Sequence, residues 1–184
     1  MSHVTAIEPS PGMGSVLEDQ IAENEIDNIR CVHKRWEDID IEADLDAPYD
    51  VVIASYSLGM PDIKEAVRKM EAASSKYVYT YWFAGETSWD INFRALWPSL
   101  HGIEYHPAPK CNVLYNVLYQ MGIYPHITVI PFEHAHRFPS EEEANEHFKS
   151  YFNVTEQRQE AILGDYLKDH LEEDDDSIIL KGSN

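Results

Sequence analysis

Apolar positions along this chain switch repeatedly between two periods. Short runs rich in β-branched residues predict strands at Val4–Ile7, Ile29–Val32, Asp50–Ser55, Lys76–Phe83, Ile127–Phe132 and Ile178–Leu180. The run VVIA within Asp50–Ser55 suits a strand buried on both faces. Between these runs, apolar residues recur three and four apart. Met13, Val16, Leu17 and Ile21 share one helical face, as do Ile63, Ala66, Val67, Met70 and Ala73, with Pro61 suited to the first turn. A further helix is predicted over Asn112–Met121, ended by Gly122. Ser140 and Glu143 form a capping box for a helix reaching Phe152, and Thr155 caps another reaching Leu171. Asp38–Pro48 reads as an acidic loop, and Glu172–Asp176 as a solvated acidic turn before the last strand.

Strands separated by helices imply parallel pairing through crossovers. The expected fold class is therefore α/β: a three-layer sandwich with a mostly parallel, Rossmann-like sheet. A single domain is expected over 1–184, with an aromatic insertion or lid at about 85–122. In open α/β sheets ligands sit beyond the carboxyl ends of the strands, so those ends are where chemistry is sought.

Composition narrows the function classes. A chain of 184 residues with 43% hydrophobic content can bury a core. It has neither an apolar run of the ~20 residues that span a bilayer nor a signal-like start, so no membrane partner and a cytoplasmic location are expected. Cys31 and Cys111 are too few for a disulfide framework or a cysteine metal site. The formal net charge of −19, with no basic cluster beyond Lys34-Arg35 and Arg68-Lys69, argues against a nucleic-acid partner.

Three strand ends carry candidate chemistry. Glu8 follows VTAI, where a carboxylate can accept both hydroxyls of a ribose. Gly12-Met13-Gly14 resembles the start of a phosphate loop, but Leu17 stands where its third glycine belongs, so Pro9-Ser10-Pro11 reads better as a turn into a helix. After the second strand, the Trp36 indole can lie against a purine, and Glu37 or Asp38 can accept from its amine; the plainer reading is a surface turn. Ser55-Tyr56-Ser57 closes the third, leaving room and donors for a ligand.

Taken together, VTAIEPSPGM, IRCVHKRWEDIDI and YDVVIASYSLG resemble the second, third and fourth strand motifs of class I S-adenosylmethionine-dependent methyltransferases. The resemblance implies S-adenosylmethionine as cofactor. It puts the cofactor's ribose at Glu8, with Pro9 and Ser10 also on the cofactor side, its adenine at Arg35, Trp36 and Glu37, and its methionine portion at Ser55, Tyr56 and Ser57. It also implies an unidentified small-molecule methyl acceptor. Substrate-side candidates are Trp82, Tyr115, Tyr119 and His134, within or after an aromatic segment whose rings read first as core or lid packing.

The chain departs from that family in two places. Arg35 stands where many members carry an adenine-binding acid. The family's first strand and its G-x-G-x-G turn are absent before Val4, so the expectation is an N-terminally truncated version of the fold. Losing a central strand leaves its neighbours' backbone groups open, an invitation to homo-oligomerise through the gap or an edge. By itself such a chain is expected to bind S-adenosylmethionine weakly or not at all. Glu133, His134 and His136 form an E-H-x-H cluster after a strand; with nine histidines in the chain, chance suffices to explain it, and no metal is expected. No catalytic base is assigned, because methyl transfer rests mainly on proximity and in-line approach. Two other readings stay open: a non-catalytic methyltransferase-like interaction module, and a nucleotide- or dinucleotide-using enzyme of similar topology.

Overall fold

The structure, a computed structural model, describes residues 3–131, 136–174 and 177–180. It divides into two compact units: residues 1–82 with 114–124, and residues 83–113 with 125–184.

In the first unit, β1 (Val4–Ile7) runs into α1 (Pro11–Glu23) and then β2 (Ile29–Val32), which pairs parallel with β1. Ser10 starts α1 by accepting from the Met13 amide, with Pro11 already in the helix. Gly12-Met13-Gly14 therefore lies inside a helix and is not a phosphate loop. Gly14 is glycine for packing: a Cβ there would stand 2.4 Å from the His33 ring.

After β2 comes a 3-10 turn at Trp36–Asp38, and the stretch Asp38–Pro48, expected as a loop, carries a single helical turn, α2 (Ile41–Asp44), capped by Asp40. Next come β3 (Tyr49–Ser55), α3 (Ile63–Ala73) and β4 (Ser74–Tyr81), with β3 and β4 parallel. Asp62, rather than Pro61, opens α3 by accepting from Glu65. Ala66, Val67, Met70 and Ala73 are buried on α3, and Met70 packs with Ala54 and Leu58.

Sheet burial departs from expectation. Ala54 is buried, but Val51 (41% exposed) and Ile53 (62%) face outward beside Tyr77, Tyr79 and Tyr81. β3 is thus covered on one face only, because α3 packs on a single side of it. Nor is the sheet continuous. β1–β2 and β3–β4 are separate pairs, and among the described residues no strand joins β1 to β3. They are tied at one end instead: Thr5 Oγ1 lies 2.7 Å from Tyr49 Oη, while Arg30 reaches the Asp44 carbonyl at 2.8 Å and the Asp46 carboxylate at 3.0 Å.

The second unit contains α4 (Ser88–His101), a helix the sequence pattern did not mark. Thr87 and Asp90 cap it reciprocally, and Gly102 ends it at φ 72°. α5 (Cys111–Gln120) follows; its residues from Leu114 onward belong to the first unit. The described residues 127–131 form no strand, contrary to the periodicity, and Ile127, Val129 and Ile130 are exposed. Their alternation finds no sheet to join.

β5 (Arg137–Phe138), α6 (Glu141–Tyr151), α7 (Gln157–His170), β6 (Leu171–Asp174) and β7 (Ser177–Leu180) complete the chain. Ser140 caps α6 through the Glu143 amide. α7 starts at Glu156, not Thr155; Gln159 Oε1 turns back to accept from both the Thr155 and Glu156 amides. The acidic run expected as a turn is half strand: Leu171–Asp174 pairs antiparallel with β7, which also pairs antiparallel with β5. Only two residues separate β6 from β7, too few for the crossover that parallel pairing needs, so the pair is antiparallel.

The architecture is therefore mixed helix and strand with small sheets, two parallel and one antiparallel, and among the described residues these sheets are not joined into one. The second unit's core gathers Leu96, Leu100, Phe148, Phe152, Leu163 and Leu167. No helix among the described residues is long and apolar enough to cross a membrane.

Candidate functional site

A cleft of about 1240 Å³ opens in the first unit between β1 and β3. Every residue of β1 lines it, as do Val51 to Ser55 of β3, and at the carboxyl ends of these strands it takes in Glu8, Pro9, Arg35, Trp36, Glu37, Tyr56 and Ser57. Eight of the nine proposed cofactor-side residues thus share one cavity. Ser10 is the exception, because its hydroxyl is spent capping α1.

Backbone direction explains why the cleft has hydrogen-bonding walls. The amides of Val4 and Glu8 donate to Asn28 and Val32 beside β2, so even-numbered residues of β1 face β2, and Thr5 and Ile7 turn their peptide groups into the cleft. Likewise the Tyr56 amide donates to the Tyr81 carbonyl at 3.1 Å, which turns the peptide groups of Val51, Ile53 and Ser55, though not their exposed side chains, toward the cleft from the opposite wall.

Each wall residue has its own environment. The Glu8 carboxylate accepts from the Ser10 amide at 2.7 Å, an exchange that orients it and leaves lone-pair sites on both oxygens. Trp36 is anchored: its indole N–H donates to the Ala66 carbonyl at 3.0 Å, and its ring packs against the core of the first unit. Lys69 braces the same turn through the carbonyls of Trp36 (3.0 Å) and Glu37 (2.7 Å). Only the part of Trp36 facing the cleft is available to a ligand.

Tyr56 is in the left-handed region at φ 51°. Glu25 and Asn153 share that conformation, but both follow helix ends, its ordinary place. Among the described residues, Tyr56 alone adopts it at a strand end, where a bulky residue costs roughly 1–2 kcal/mol relative to glycine.

The fold has solved counterparts. One is the crystal structure of BH2331 from Bacillus halodurans C-125, a candidate methyltransferase by name, with a TM-score of 0.52 and 14% identity over 96% of this chain and 77% of that one. Another is YcgJ from Bacillus subtilis, with a TM-score of 0.50 and 12% identity over 97% of this chain and 79% of that one. The chain has a methyltransferase-like fold. No family model and no curated protein matches it.

On this methyltransferase-like fold the substrate-side candidates do not gather. Trp82 packs against the core around Ala54 and Met70. Tyr115 and Tyr119 lie on α5 with ring centroids 6.4 Å apart and do not line the cleft. His134 and Glu133 fall outside the described residues. His136 sits among rings, 5.3 Å from His147 and 6.2 Å from Phe138. Among the described residues no group of three metal-ligating side chains occurs, and Cys31 and Cys111 form no disulfide.

Most rings of the aromatic segment are packing. Phe93 stacks on Tyr105 at 5.0 Å and meets Phe152 at 4.9 Å. Sequence reasoning did not find Thr5 and Tyr49, which span the cleft. The tyrosine that precedes VVIA was its only trace.

Proposed function

We propose that this chain is a cytoplasmic S-adenosylmethionine-dependent methyltransferase domain acting on a small molecule. One observation carries the reading: Glu8, Trp36 and the Ser55–Ser57 turn, far apart in sequence, line a single cleft that takes in the carboxyl ends of β1 and β3. Glu8 would bind the ribose hydroxyls, the Arg35–Glu37 turn would flank the adenine, and Ser55–Ser57 would lie beneath the methionine portion. When bound, the cofactor supplies an electrophilic methyl group on sulfur, and the chain's task is to orient it and exclude water. Among the described residues no third strand lies between β1 and β3 to complete a floor for the ligand.

Binding by the isolated chain is accordingly weak. Ligand-observed NMR with S-adenosylmethionine should give a dissociation constant in the millimolar range, with adenosine competing. No binding at millimolar concentrations would remove the cofactor reading, and micromolar binding by the monomer would show that the cleft needs no completion.

A non-catalytic interaction module is the second reading, favoured by the outward face of Val51, Ile53, Tyr77, Tyr79 and Tyr81. The open edges of β1 and β3 also support association between copies, opposed by the charge of −19. Sedimentation velocity should show self-association growing as salt screens that charge; a monomer at all salt concentrations would reject edge pairing.

A further inference from the structure

Cys31 and His33 stand two apart where β2 ends, so their side chains leave the same face of the strand, the face toward α1. The Cys31 Sγ lies 4.0 Å from His33 Nδ1. On the far side of the ring, Nε2 lies 2.8 Å from the Glu18 carboxylate of α1. A carboxylate only accepts, so Nε2 carries the proton, and Nδ1 of the neutral ring turns its lone pair to the thiol. Gly14 makes the arrangement possible: a Cβ there would stand 2.4 Å from the ring, so another residue would displace the imidazole. A nucleophile, a base beside it and a carboxylate that orients the base thus stand in line. His33 and Glu18 are exposed, Cys31 is half-buried, and none of the three lines the cleft between β1 and β3.

The surroundings set the chemistry. Burial, with the negative charges of Glu18 and Glu8, pushes the Cys31 thiol up, so it rests protonated. Attack then requires a base that takes the proton in the same step, and Nδ1 is placed for that. Once His33 holds the proton, the Glu18 charge changes from a hindrance to a partner of the imidazolium. We propose that Cys31, His33 and Glu18 form a thiol–disulfide exchange site that accepts small disulfides of neutral or positive charge. His33 Nδ1 takes the thiol proton as Sγ attacks one sulfur of the disulfide. The new sulfur–sulfur bond forms and the old one breaks; its electron pair leaves on the second sulfur, which takes the proton back from His33. The disulfide is itself the oxidant: Cys31 is oxidised and the departing sulfur reduced. Glu18 and Glu8, on a chain of net charge −19, disfavour an anionic disulfide.

The test is site-resolved mass spectrometry of the full chain at neutral pH and low salt, with cystamine, hydroxyethyl disulfide and glutathione disulfide as reagents. Cys111, whose thiol donates to the Ala84 carbonyl at 3.3 Å, is the reference in the same molecule. Mixed-disulfide formation at Cys31 should run roughly ten- to hundredfold faster than at Cys111 with the cationic and neutral reagents, and slowest with the anionic one. His33→Gln should bring Cys31 down toward the rate of Cys111 while Cys111 itself is unchanged, the sign of an intact fold. That deficit should shrink as the pH rises well past the ordinary thiol value of 9.0, where hydroxide removes the proton unaided. Glu18→Ala should slow Cys31 severalfold, and Glu18→Gln, whose amide oxygen can still accept from Nε2, should restore most of the rate. A Cys31 no faster than Cys111, a rate indifferent to His33→Gln, or a deficit of the same size at every pH overturns the site. A fastest reaction with glutathione disulfide overturns the charge selection.

Discussion

Replacing Asp90 by alanine lowers the stability of the second unit by about 3–5 kcal/mol, the largest effect expected of any single substitution at a polar residue here. Asp90 is 2% exposed. Its carboxylate accepts from the Thr87 amide (2.9 Å), the Thr87 hydroxyl (2.7 Å), the Tyr105 hydroxyl (3.1 Å) and Lys110 Nζ (2.5 Å). Truncation loses the cap of α4 and leaves Lys110, itself only 18% exposed, without its charge partner. Thermal unfolding followed by circular dichroism should show a midpoint lower by on the order of 10 °C. Adding Lys110→Met should recover part of the loss, because the orphaned charge is then gone. A loss below 1 kcal/mol would mean that solvent already shares the network.

The same carboxylate gives a dependence on pH. Burial raises its pKa, but the hydrogen bonds from Lys110, Thr87 and Tyr105 outweigh burial and hold it at about 2, below the ordinary 3.8. A depressed acid stabilises the fold above its unfolded pKa and loses that contribution as pH falls through the folded one. The contribution, roughly 2 kcal/mol, is present above about pH 4 and disappears toward pH 2. The gap in stability between wild type and Asp90→Ala should therefore narrow by about 2 kcal/mol over that window.

On the cofactor reading proposed above, replacing Glu8 by alanine should weaken adenosyl-ligand binding roughly ten- to hundredfold, since the two charge-assisted hydrogen bonds proposed to the ribose would be lost together. Glu8 is half-buried at the end of β1, and its carboxylate is oriented by the Ser10 amide. Titration with 2′-deoxyadenosine should separate the hydroxyl contacts from the rest: wild type loses affinity for the deoxy ligand, and Glu8→Ala loses none further. Equal affinity of wild type and Glu8→Ala for adenosine would place the ribose elsewhere.

Local signals explain what could be read in the sequence. β1, β2 and β3 sit within a residue of their predicted places, because β-branched runs flanked by turn residues have little alternative. The gathering of Glu8, Arg35 to Glu37 and Ser55 to Ser57 about one cleft follows for the same reason: a strand end fixes where a side chain emerges. Signals that depend on partners elsewhere failed. Ile127 to Ile130 alternate as a strand should, yet pairing is decided by the availability of an edge. α4 was hidden because Pro98 lies within it, although Thr87, Asp90 and Gly102 carry its boundary chemistry. The hairpin of β6 and β7 was obscured by charge, since Glu172 and Glu173 are solvated on an outer strand. Ser10 could not be divided between capping and ligand contact without knowing which way its hydroxyl turns.

The strut from Tyr49 to Thr5 has a mechanical consequence. Peptide groups along β1 and β3 alternate between those locked to a neighbouring strand and those facing the cleft, so each wall is stiff along one side and compliant along the other. Fixing the walls at one end by the Tyr49 phenol and the Arg30 contacts makes the opposite end, where Glu8 and Tyr56 stand, the part that can breathe. The cleft is then a forked spring, tightened at its base and adjustable at the tips that would grip a ligand.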